Sequence, residues 1–189
     1  MVAEDVFVSL PMLSTTRLRL RGMSEEDTDG LFDLFGDEEV CRYYAWDTFT
    51  DREQARELAR HSAELYRQRQ AMRWGLVLPG ADRIIGTCGY TRWDRDNRYA
   101  VLGYDLARPY WRQGLMSEAV AAVLRFGFEH LNLNRVEATM LLGNTASAAV
   151  LLRAGFQLEG QMTQRHWHRG TFHDMQMYGL LRSHGRPGA

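Results

Sequence analysis

One stretch of the sequence decides how the rest is interpreted: residues 104–119 read YDLARPYWRQGLMSEA. The stretch begins in a predicted strand, residues 99–106, and continues through a loop that contains Gly114. A helix follows, because apolar residues then recur at helical spacing up to about residue 130. Free backbone N–H groups at a helix start attract anions, and a glycine lets a phosphate approach the backbone closely. The stretch therefore predicts a phosphate-binding unit, although a Gly114 that only turns the chain would produce the same pattern.

The two commonest nucleotide-binding motifs are absent from the chain. A P-loop would require GxxxxGK followed by Ser or Thr, and a dinucleotide-binding loop would require GxGxxG. Neither pattern occurs in the 189 residues. The loop before the helix at residue 114 is therefore predicted to bind phosphate in some other way.

The segments on either side of this unit alternate between strand and helix patterns. Residues 17–21 and 135–141 alternate polar and apolar side chains, as half-buried strands do. Two helices are predicted after the first of these strands. Ser24 is the candidate cap of the first helix, and Thr50 or Asp51 is that of the second. Further elements are predicted at residues 74–78, 83–90, 144–155, 156–164 and 172–181. The order β-αα-βββ-α-β-α-ββ predicts a mixed sheet of about seven strands with helices on both faces.

Length and composition predict one globular domain. Hydrophobic residues make up 45% and charged residues 25% of the 189 residues, as in ordinary globular proteins. We expect a single domain over residues 1–189, with a loose lead-in at residues 1–14 and a disordered tail at residues 183–189. The formal net charge of -1 argues against direct nucleic-acid binding. No membrane span or signal peptide is recognisable, so the sequence predicts a cytoplasmic protein.

Candidate metal ligands are few. Cys41 and Cys88 lie far apart, and the sequence has no CxxC pair. His166 and His168 would point the same way on an extended segment, with His173 nearby. Because no cysteine or carboxylate set completes a site around them, the sequence predicts no metal.

Residues 111–119, WRQGLMSEA, resemble the acyl-CoA pyrophosphate loop of the GNAT acetyltransferase superfamily. The likeness is greatest to the branch that contains the ribosomal-protein alanine N-terminal acetyltransferases, which usually have Gly where this chain has Arg112. Residues 143–150, GNTASAAV, resemble the Asn-x-x-Ser helix of that branch, and residues 154–160, AGFQLEG, resemble its Gly-Phe-x-x-Glu-Gly turn. Residues 16–21 and 173–178 resemble its first and last strands, so the likeness extends over nearly the whole chain.

The resemblance implies a GNAT-like α/β (α+β) fold with a splayed central sheet and acetyl-CoA as co-substrate. The pantetheine arm would fill the gap between the strand that ends near Leu106 and the strand at residues 135–141, and residues 112–117 would hold the pyrophosphate. The implied cofactor-binding residues are Tyr104, Asp105, Leu106, Arg112, Gln113, Gly114, Leu115, Met116, Ser117, Asn144 and Ser147.

The implied reaction is direct attack of a primary amine on the thioester of acetyl-CoA. By resemblance, Ser147 would protonate the leaving thiolate; the alternative is a solvent-facing hydroxyl on a helix that Asn144 caps. The attacking amine must be neutral or lose its proton, so a carboxylate, a histidine or an ordered water should stand nearby as the base. Candidates are His166, Glu159 and His168, and the ordinary pKa of histidine near neutrality suits the task. The alternative for the histidines is that they lie near the site without a role in catalysis. The alternative for Glu159 is that its motif reflects the geometry of the turn.

The acceptor amine is the least determined part of the reaction. Aromatic and acidic side chains near the predicted site would suit a cationic amine, or would be ordinary packing and surface: Tyr43, Tyr44, Trp46, Trp167, Asp37, Glu38 and Glu39. A protein or peptide N-terminus is the predicted acceptor, and a small-molecule amine or antibiotic is the alternative. A third alternative is a CoA-binding or interaction module without catalysis. We expect a monomer or a homodimer.

Overall fold

The computed structural model of the chain describes residues 9–44 and 47–184. Within these residues the strands are β1 (Leu13–Ser14), β2 (Arg19–Arg21), β3 (Met72–Val77), β4 (Ile84–Asp94), β5 (Tyr99–Leu106), β6 (Arg135–Leu141), β7 (Gln157–His168) and β8 (Thr171–Leu181). They form one sheet in the order β1-β2-β3-β4-β5-β6-β8-β7. Neighbouring strands are antiparallel except β5 and β6, which are parallel because a helix connects them.

Helices cover both faces of the sheet and divide its apolar residues into two cores. The helices are α1 (Thr28–Phe35), α2 (Glu38–Cys41), α3 (Arg52–Arg67), α4 (Leu115–Glu129) and α5 (Thr145–Arg153). Trp74 and Leu76 in β3 belong to the core that contains α4. Val77, the next residue along β3, belongs to the core that contains α1 and α3, as the alternation of side chains along a strand requires.

Helix α4 lies unusually close to β4. The buried Tyr90 hydroxyl donates to the backbone carbonyl of Val123 at 2.8 Å. A Cβ atom on Gly127, one turn further along the helix, would overlap that hydroxyl. Glycine at this position therefore allows the helix and the strand to approach each other.

Strands β5 and β6 separate after a short paired segment. Their pairing is limited to residues 99–101 of β5 and 135–137 of β6. Beyond these pairs β5 remains bonded to β4 and β6 remains bonded to β8, so the two strands diverge without losing their outer neighbours. The inner backbone edges of both strands consequently face a cleft in the middle of the sheet.

The predicted mixed sheet with helices on both faces is confirmed, with local differences. The sheet has eight strands instead of about seven, because Leu13–Ser14, expected as part of a loose lead-in, forms β1. Strand β7 continues to His168 instead of ending near residue 164. The short helix α2 had no strong periodic signal in the sequence. The turn expected at Gly155 is confirmed by a left-handed φ of 92°.

The ends of the chain are described only in part. Residues 1–8 of the predicted lead-in and residues 185–189 of the predicted tail lie outside the described residues. The described end of the tail belongs to a 3-10 turn, Arg182–His184. Of the helices that the structure describes, none is both long and apolar enough to span a bilayer.

Candidate active site

A cavity of about 740 Å³ opens where β5 and β6 diverge. It is lined by β5 and β6, by the start of α4 and by α5. Residues in and after α2 and single residues of β3, β4, β7 and β8 complete the lining. Most of the site residues predicted from the sequence line this one cavity: Tyr104, Asp105, Leu106, Arg112, Gly114, Leu115, Met116, Ser117, Asn144, Ser147 and His166. Elements that are far apart in sequence therefore meet at the splayed strands.

The start of α4 presents backbone donors to the cavity. Gly114 is the N-cap residue, with a left-handed φ of 76° that glycine adopts without strain. No side chain in the described part of the chain caps this helix, and Glu118 N–H donates to the Gly114 carbonyl at 3.1 Å. The N–H groups of Leu115, Met116 and Ser117 precede that first helical bond and remain available to a ligand. Together with the helix dipole they favour an anion.

Arg17, in the turn between β1 and β2, bonds to this loop and to the start of α4. Its Nη1 donates to the Gln113 carbonyl at 2.8 Å, and its Nε donates to the Glu118 carboxylate at 2.8 Å. Arg153 reaches the loop from α5, where its Nη1 donates to the Ser117 hydroxyl at 3.1 Å. The sequence pattern marks Arg17 only as a strand residue, so its structural role had no signal there.

Tyr104 and Ser147 are hydrogen-bonded to each other in the cavity wall. The Tyr104 hydroxyl lies 2.8 Å from Ser147 Oγ and donates to the Ser147 carbonyl at 3.0 Å. Burial raises the pKa of the Tyr104 phenol, although its hydrogen bond to Ser147 acts in the opposite direction, so the phenol stays protonated at neutral pH. Asn144 Oδ1 accepts a bond from Ser147 N–H at 3.1 Å, which confirms Asn144 as the N-cap of α5.

His166 lies at the cavity because β7 is irregular before it. The register between β7 and β8 shifts after Met162, and residues 163–165 then lie opposite Asp174 alone. Gln164, in this bulge, has a φ of 50° and donates its N–H to the Asp174 carboxylate at 2.8 Å. Nε2 of His166 is buried and has no hydrogen-bond partner among the residues that the structure describes. Bulges often redirect a side chain beside a functional site, and this one places the His166 imidazole at the cavity.

A buried charged network forms another part of the wall. Arg73 in β3 and Asp105 in β5 form an ion pair, with 13% and 1% of their side chains exposed. Arg73 Nε donates to Thr87 Oγ1 at 2.9 Å and Nη2 donates to the Tyr44 hydroxyl at 3.3 Å, while Thr87 donates to Asp105 at 2.8 Å. Burial lowers the pKa of Arg73, but the charge of Asp105 outweighs it and leaves the pKa above its usual value. Burial and the Asp105 charge also raise the pKa of Tyr44 well above the ordinary value.

Three predicted site residues, Gln113, Glu159 and His168, lie outside the lining of the cavity. The Gln113 side chain donates to the Pro109 carbonyl at 2.9 Å. Glu159 is exposed, and its carboxylate accepts bonds from Arg135, whose Nη1 is 2.8 Å away. The hydrogen bond from Arg135 lowers the pKa of Glu159 below its ordinary range. Glu159 is thus a paired carboxylate outside the cavity, and the structure does not place it where a base would act.

The side chains expected around the acceptor are only partly brought together. Tyr43, Tyr44 and Glu39 line the cavity. Trp167 lies near the turn of the β7–β8 hairpin, where it is exposed and stacks edge-to-face on Phe172 with ring centroids 4.7 Å apart. Trp46 lies outside the described residues.

The histidines near the hairpin do not form a metal site in the described residues. The rings of His166 and His168 are 5.9 Å apart, centre to centre, and those of His168 and His173 are 6.4 Å apart. Within residues 9–44 and 47–184, no group of three or more His, Cys, Asp or Glu side chains is arranged to hold a metal ion.

The chain matches known proteins to different extents. Residues 17–157 match the model of the acetyltransferase (GNAT) domain family. The chain is 34% identical over 172 residues to an uncharacterised N-acetyltransferase of Bacillus subtilis, YoaA, with 91% of this chain and 97% of the relative covered. It is 32% identical over 98 residues to the [ribosomal protein uS5]-alanine N-acetyltransferase of Escherichia coli, with 51% and 50% covered.

A solved structure shares the fold. It is that of RimL, a ribosomal L7/L12 alpha-N-protein acetyltransferase, in complex with coenzyme A, and it superposes with a TM-score of 0.83 at 24% identity. The superposition covers 90% of this chain and 98% of that one. At this level of identity the likeness is one of architecture.

Proposed function

This chain belongs to the acetyltransferase (GNAT) domain family and is an N-acetyltransferase, and from that premise we propose that it transfers the acetyl group of acetyl-CoA to the N-terminal amine of a protein or peptide. One feature supports the proposal above all: the cavity at the splayed strands brings together the start of α4, Ser147 and His166. Its volume of about 740 Å³ lies within the usual size of a small-molecule site.

The loop before α4 suits the diphosphate of a CoA molecule. The available N–H groups of residues 115–117 would donate to its oxygens, and Gly114 allows the close approach. Arg112 also lines the cavity and adds a positive charge there. The bonds from Arg17 and Arg153 hold this loop in place before any ligand arrives, which reduces the entropy lost on binding.

The inner edges of β5 and β6 suit an extended chain with amide groups. Backbone groups beyond residue 101 of β5 and residue 137 of β6 have no partner across the cleft, so they can bond to a ligand as they would to a strand. Acetyl-CoA supplies a thioester, in which the acyl group is already activated. A backbone N–H near Tyr104–Leu106 would polarise the carbonyl of that thioester.

Ser147 is the proposed proton donor, and Tyr104 supports it. Ser147 Oγ would donate a proton toward the departing thiolate and take one back from solvent, while the Tyr104 hydroxyl, 2.8 Å away, keeps it in place. The raised pKa of Tyr104 keeps the phenol protonated, and therefore neutral, at neutral pH. On this basis Ser147 is the general acid and Tyr104 holds it in position.

His166 is the proposed general base. Its Nε2 is buried, lacks a partner among the described residues and belongs to a side chain that lines the cavity. Replacing His166 with glutamine is expected to lower kcat/KM and to change the lower limb of its pH dependence, because that limb reports the base in the free enzyme together with the ionisation of the free amine. His168→Gln is the matched control, since His168 belongs to the same strand but does not line the cavity. A pH–rate profile that is the same in His166→Gln and in the wild type would exclude His166 as the base.

A peptide N-terminus is the acceptor that we propose. One relative, 32% identical over half of the chain, carries a name that describes acetylation of an alanine in a ribosomal protein. The wall of the cavity includes Tyr43, Tyr44 and Glu39, and aromatic and acidic groups suit a cationic amine. A small-molecule amine is the competing acceptor and becomes an outcome of the assay below.

Binding of acetyl-CoA is tested first by thermal unfolding. At a concentration about one hundred times its Kd, a ligand stabilises the native state by about 2.7 kcal/mol, which raises the Tm of a protein this size by about 5–11 °C. Gly114→Ala should lose most of that rise, because a methyl group would obstruct the phosphate site. Gly80→Ala is the matched control, since Gly80 has a similar φ of 81° but nothing within 4 Å of its Cβ position. No rise in the wild type would refute the proposed co-substrate.

Acetyl transfer is tested with a panel of peptides and small amines and labelled acetyl-CoA. We expect peptides that begin with a small residue to become labelled at their N-terminus, as mass spectrometry would locate. Labelling of lysine side chains only, or of small amines only, would refute the peptide N-terminus as acceptor. Acetyl transfer from acetyl-CoA to an amine would still be supported.

A further inference from the structure

Arg73 is the one member of the buried network whose donors are not all used within it. Its Nε bonds to Thr87, and its Nη2 bonds to both Tyr44 and Asp105. Its Nη1 has no hydrogen-bond partner in residues 9–44 and 47–184. Because a guanidinium carries five N–H donors in a fixed plane, two donors on Nη1 are left to a ligand.

These donors lie beside the cavity. Arg73 and Gly103 both line it, and a Cβ atom on Gly103 would come within 3.5 Å of Arg73 Nη1. Gly103 has no strained backbone angle, so glycine is not required at this position by φ. The missing side chain instead leaves Nη1 uncovered toward the cavity.

The position of Arg73 relative to β5 assigns it to the acceptor side. Side chains alternate along a strand, so Gly103 and Asp105 face one side of β5 while Tyr104 faces the other. Tyr104 bonds to Ser147, on the side where the thiolate would leave. Arg73 therefore stands across β5 from the proposed acid, where the attacking amine and the groups attached to it would lie.

The charge of the network indicates what Arg73 would bind. Asp105 already neutralises Arg73, and both side chains are almost completely buried. A second carboxylate would place an unbalanced negative charge in this wall, which is costly in a buried site. A neutral carbonyl oxygen would accept the Nη1 bond without that cost.

On the basis of the proposed function, we propose that Arg73 Nη1 donates a hydrogen bond to the carbonyl group on the carbon that bears the reacting amine. The acceptor is thus an α-amino acyl group, such as the first residue of a peptide. Arg73 is then a specificity-determining residue, because an alkylamine without the carbonyl leaves its buried donors unpaired. Sites of this kind reject substrates that lack the matching polar group.

The experiment compares two acceptors of similar size, alaninamide and sec-butylamine, in which a carboxamide group and an ethyl group occupy the same position. The quantity measured is the ratio of their kcat/KM values, within one enzyme preparation, so that partial misfolding of a variant cancels. In the wild type we expect alaninamide to be favoured, and in Arg73→Lys we expect the ratio to fall by about tenfold or more. Lysine keeps the charge opposite Asp105 but cannot reproduce the planar fork of donors.

A second variant leaves the buried ion pair intact and covers Nη1 instead. Gly103→Ala alone would crowd Thr91, whose Cγ2 would be 2.8 Å from the new methyl, so it is combined with Thr91→Ser. The double variant should lose the preference for alaninamide, and Thr91→Ser alone should keep it. Thermal shift with acetyl-CoA confirms that co-substrate binding survives in each variant.

The outcomes separate this inference from the function on which it rests. A ratio that is the same in the wild type and in both Arg73→Lys and the double variant would overturn the role of Arg73 and leave the acetyltransferase intact. A wild-type enzyme that acetylates neither amine nor any peptide would overturn the proposed function, and the role of Arg73 with it.

Discussion

Replacing Asp105 with asparagine removes the negative charge from the buried network while it preserves the size of the side chain. Arg73 would then remain charged with 13% of its side chain exposed and no anion opposite it. Removing one partner of a buried ion pair costs about 3–5 kcal/mol. Because the asparagine oxygen can still accept the bond from Thr87, we expect the lower end, about 3 kcal/mol. For a chain of 189 residues this corresponds to a fall in Tm of about 6–12 °C.

Urea unfolding, followed by tryptophan fluorescence and by circular dichroism, measures this loss. Trp74 is fully buried, so its emission should report the unfolding of the core. The matched control is Asp29→Asn: Asp29 also bonds to an arginine, Arg52, at 2.9 Å, but those side chains are 65% and 61% exposed. Exposed pairs contribute about 0–1 kcal/mol, so the control should be close to wild type.

Two results would refute this reasoning. A loss in Asp105→Asn no larger than that in Asp29→Asn would show that burial does not strengthen the pair. The combined replacement Arg73→Met, Asp105→Leu, Thr87→Val and Tyr44→Phe removes both charges and the two hydroxyl groups bonded to them, and it should recover most of the stability. A combined variant as unstable as Asp105→Asn would assign the loss to packing instead of to an unpaired charge.

Three further predictions concern catalysis, packing and pH. Ser147→Ala should lower kcat on the order of a hundredfold, while the Kd of CoA, measured by calorimetry, should change little. Equal effects on kcat and on the Kd would show that the serine has a structural role instead. Gly127→Ala should lower the free energy of unfolding in urea by about 2 kcal/mol, because the new methyl group would overlap the buried phenol of Tyr90. Alanine favours helices more than glycine does, so a gain in stability would contradict this reasoning. Burial raises the pKa of Glu118, but its bonds to Thr15 and Arg17 outweigh this and lower it. The carboxylate therefore contributes stability above its unfolded pKa of 4.5 that is lost as the pH falls through the lower folded value. Glu118→Gln should accordingly show a smaller loss of stability than the wild type on acidification, and parallel curves would contradict it.

The parts of the fold that were predictable are those with strong local signals. The bounds predicted for β5 and β6 match the structure, and in β6 the signal is the alternation of polar and apolar residues along most of the strand. Asn144 was predictable as a cap and Gly155 as a terminator, since these residue types satisfy the ends of a helix. The meeting of the α4 loop with α5 followed from family resemblance, and periodicity alone does not place them together.

The parts that were not predictable depend on contacts between distant residues. Arg73 precedes the segment predicted as a strand, and nothing near it in sequence indicates a partner 32 residues away. The bulge before His166 requires a left-handed backbone conformation at Gln164. Glutamine rarely adopts that conformation, so the sequence gives no sign of it. Glu159 belonged to a suggestive motif, yet its ion pair with Arg135 depends on how β6 and β7 lie in the finished sheet.

The separation of β5 and β6 also has a kinetic consequence. Only three residue pairs join β5 and β6, although one apolar core packs against both parts of the sheet, β1 to β5 and β6 to β8. A ligand bound along both inner edges would add backbone bonds where the sheet itself has none. Its departure would require those bonds to break, so they lengthen the residence time of the product. We therefore expect product release, with the chemistry already complete, to be the slow event of each turnover.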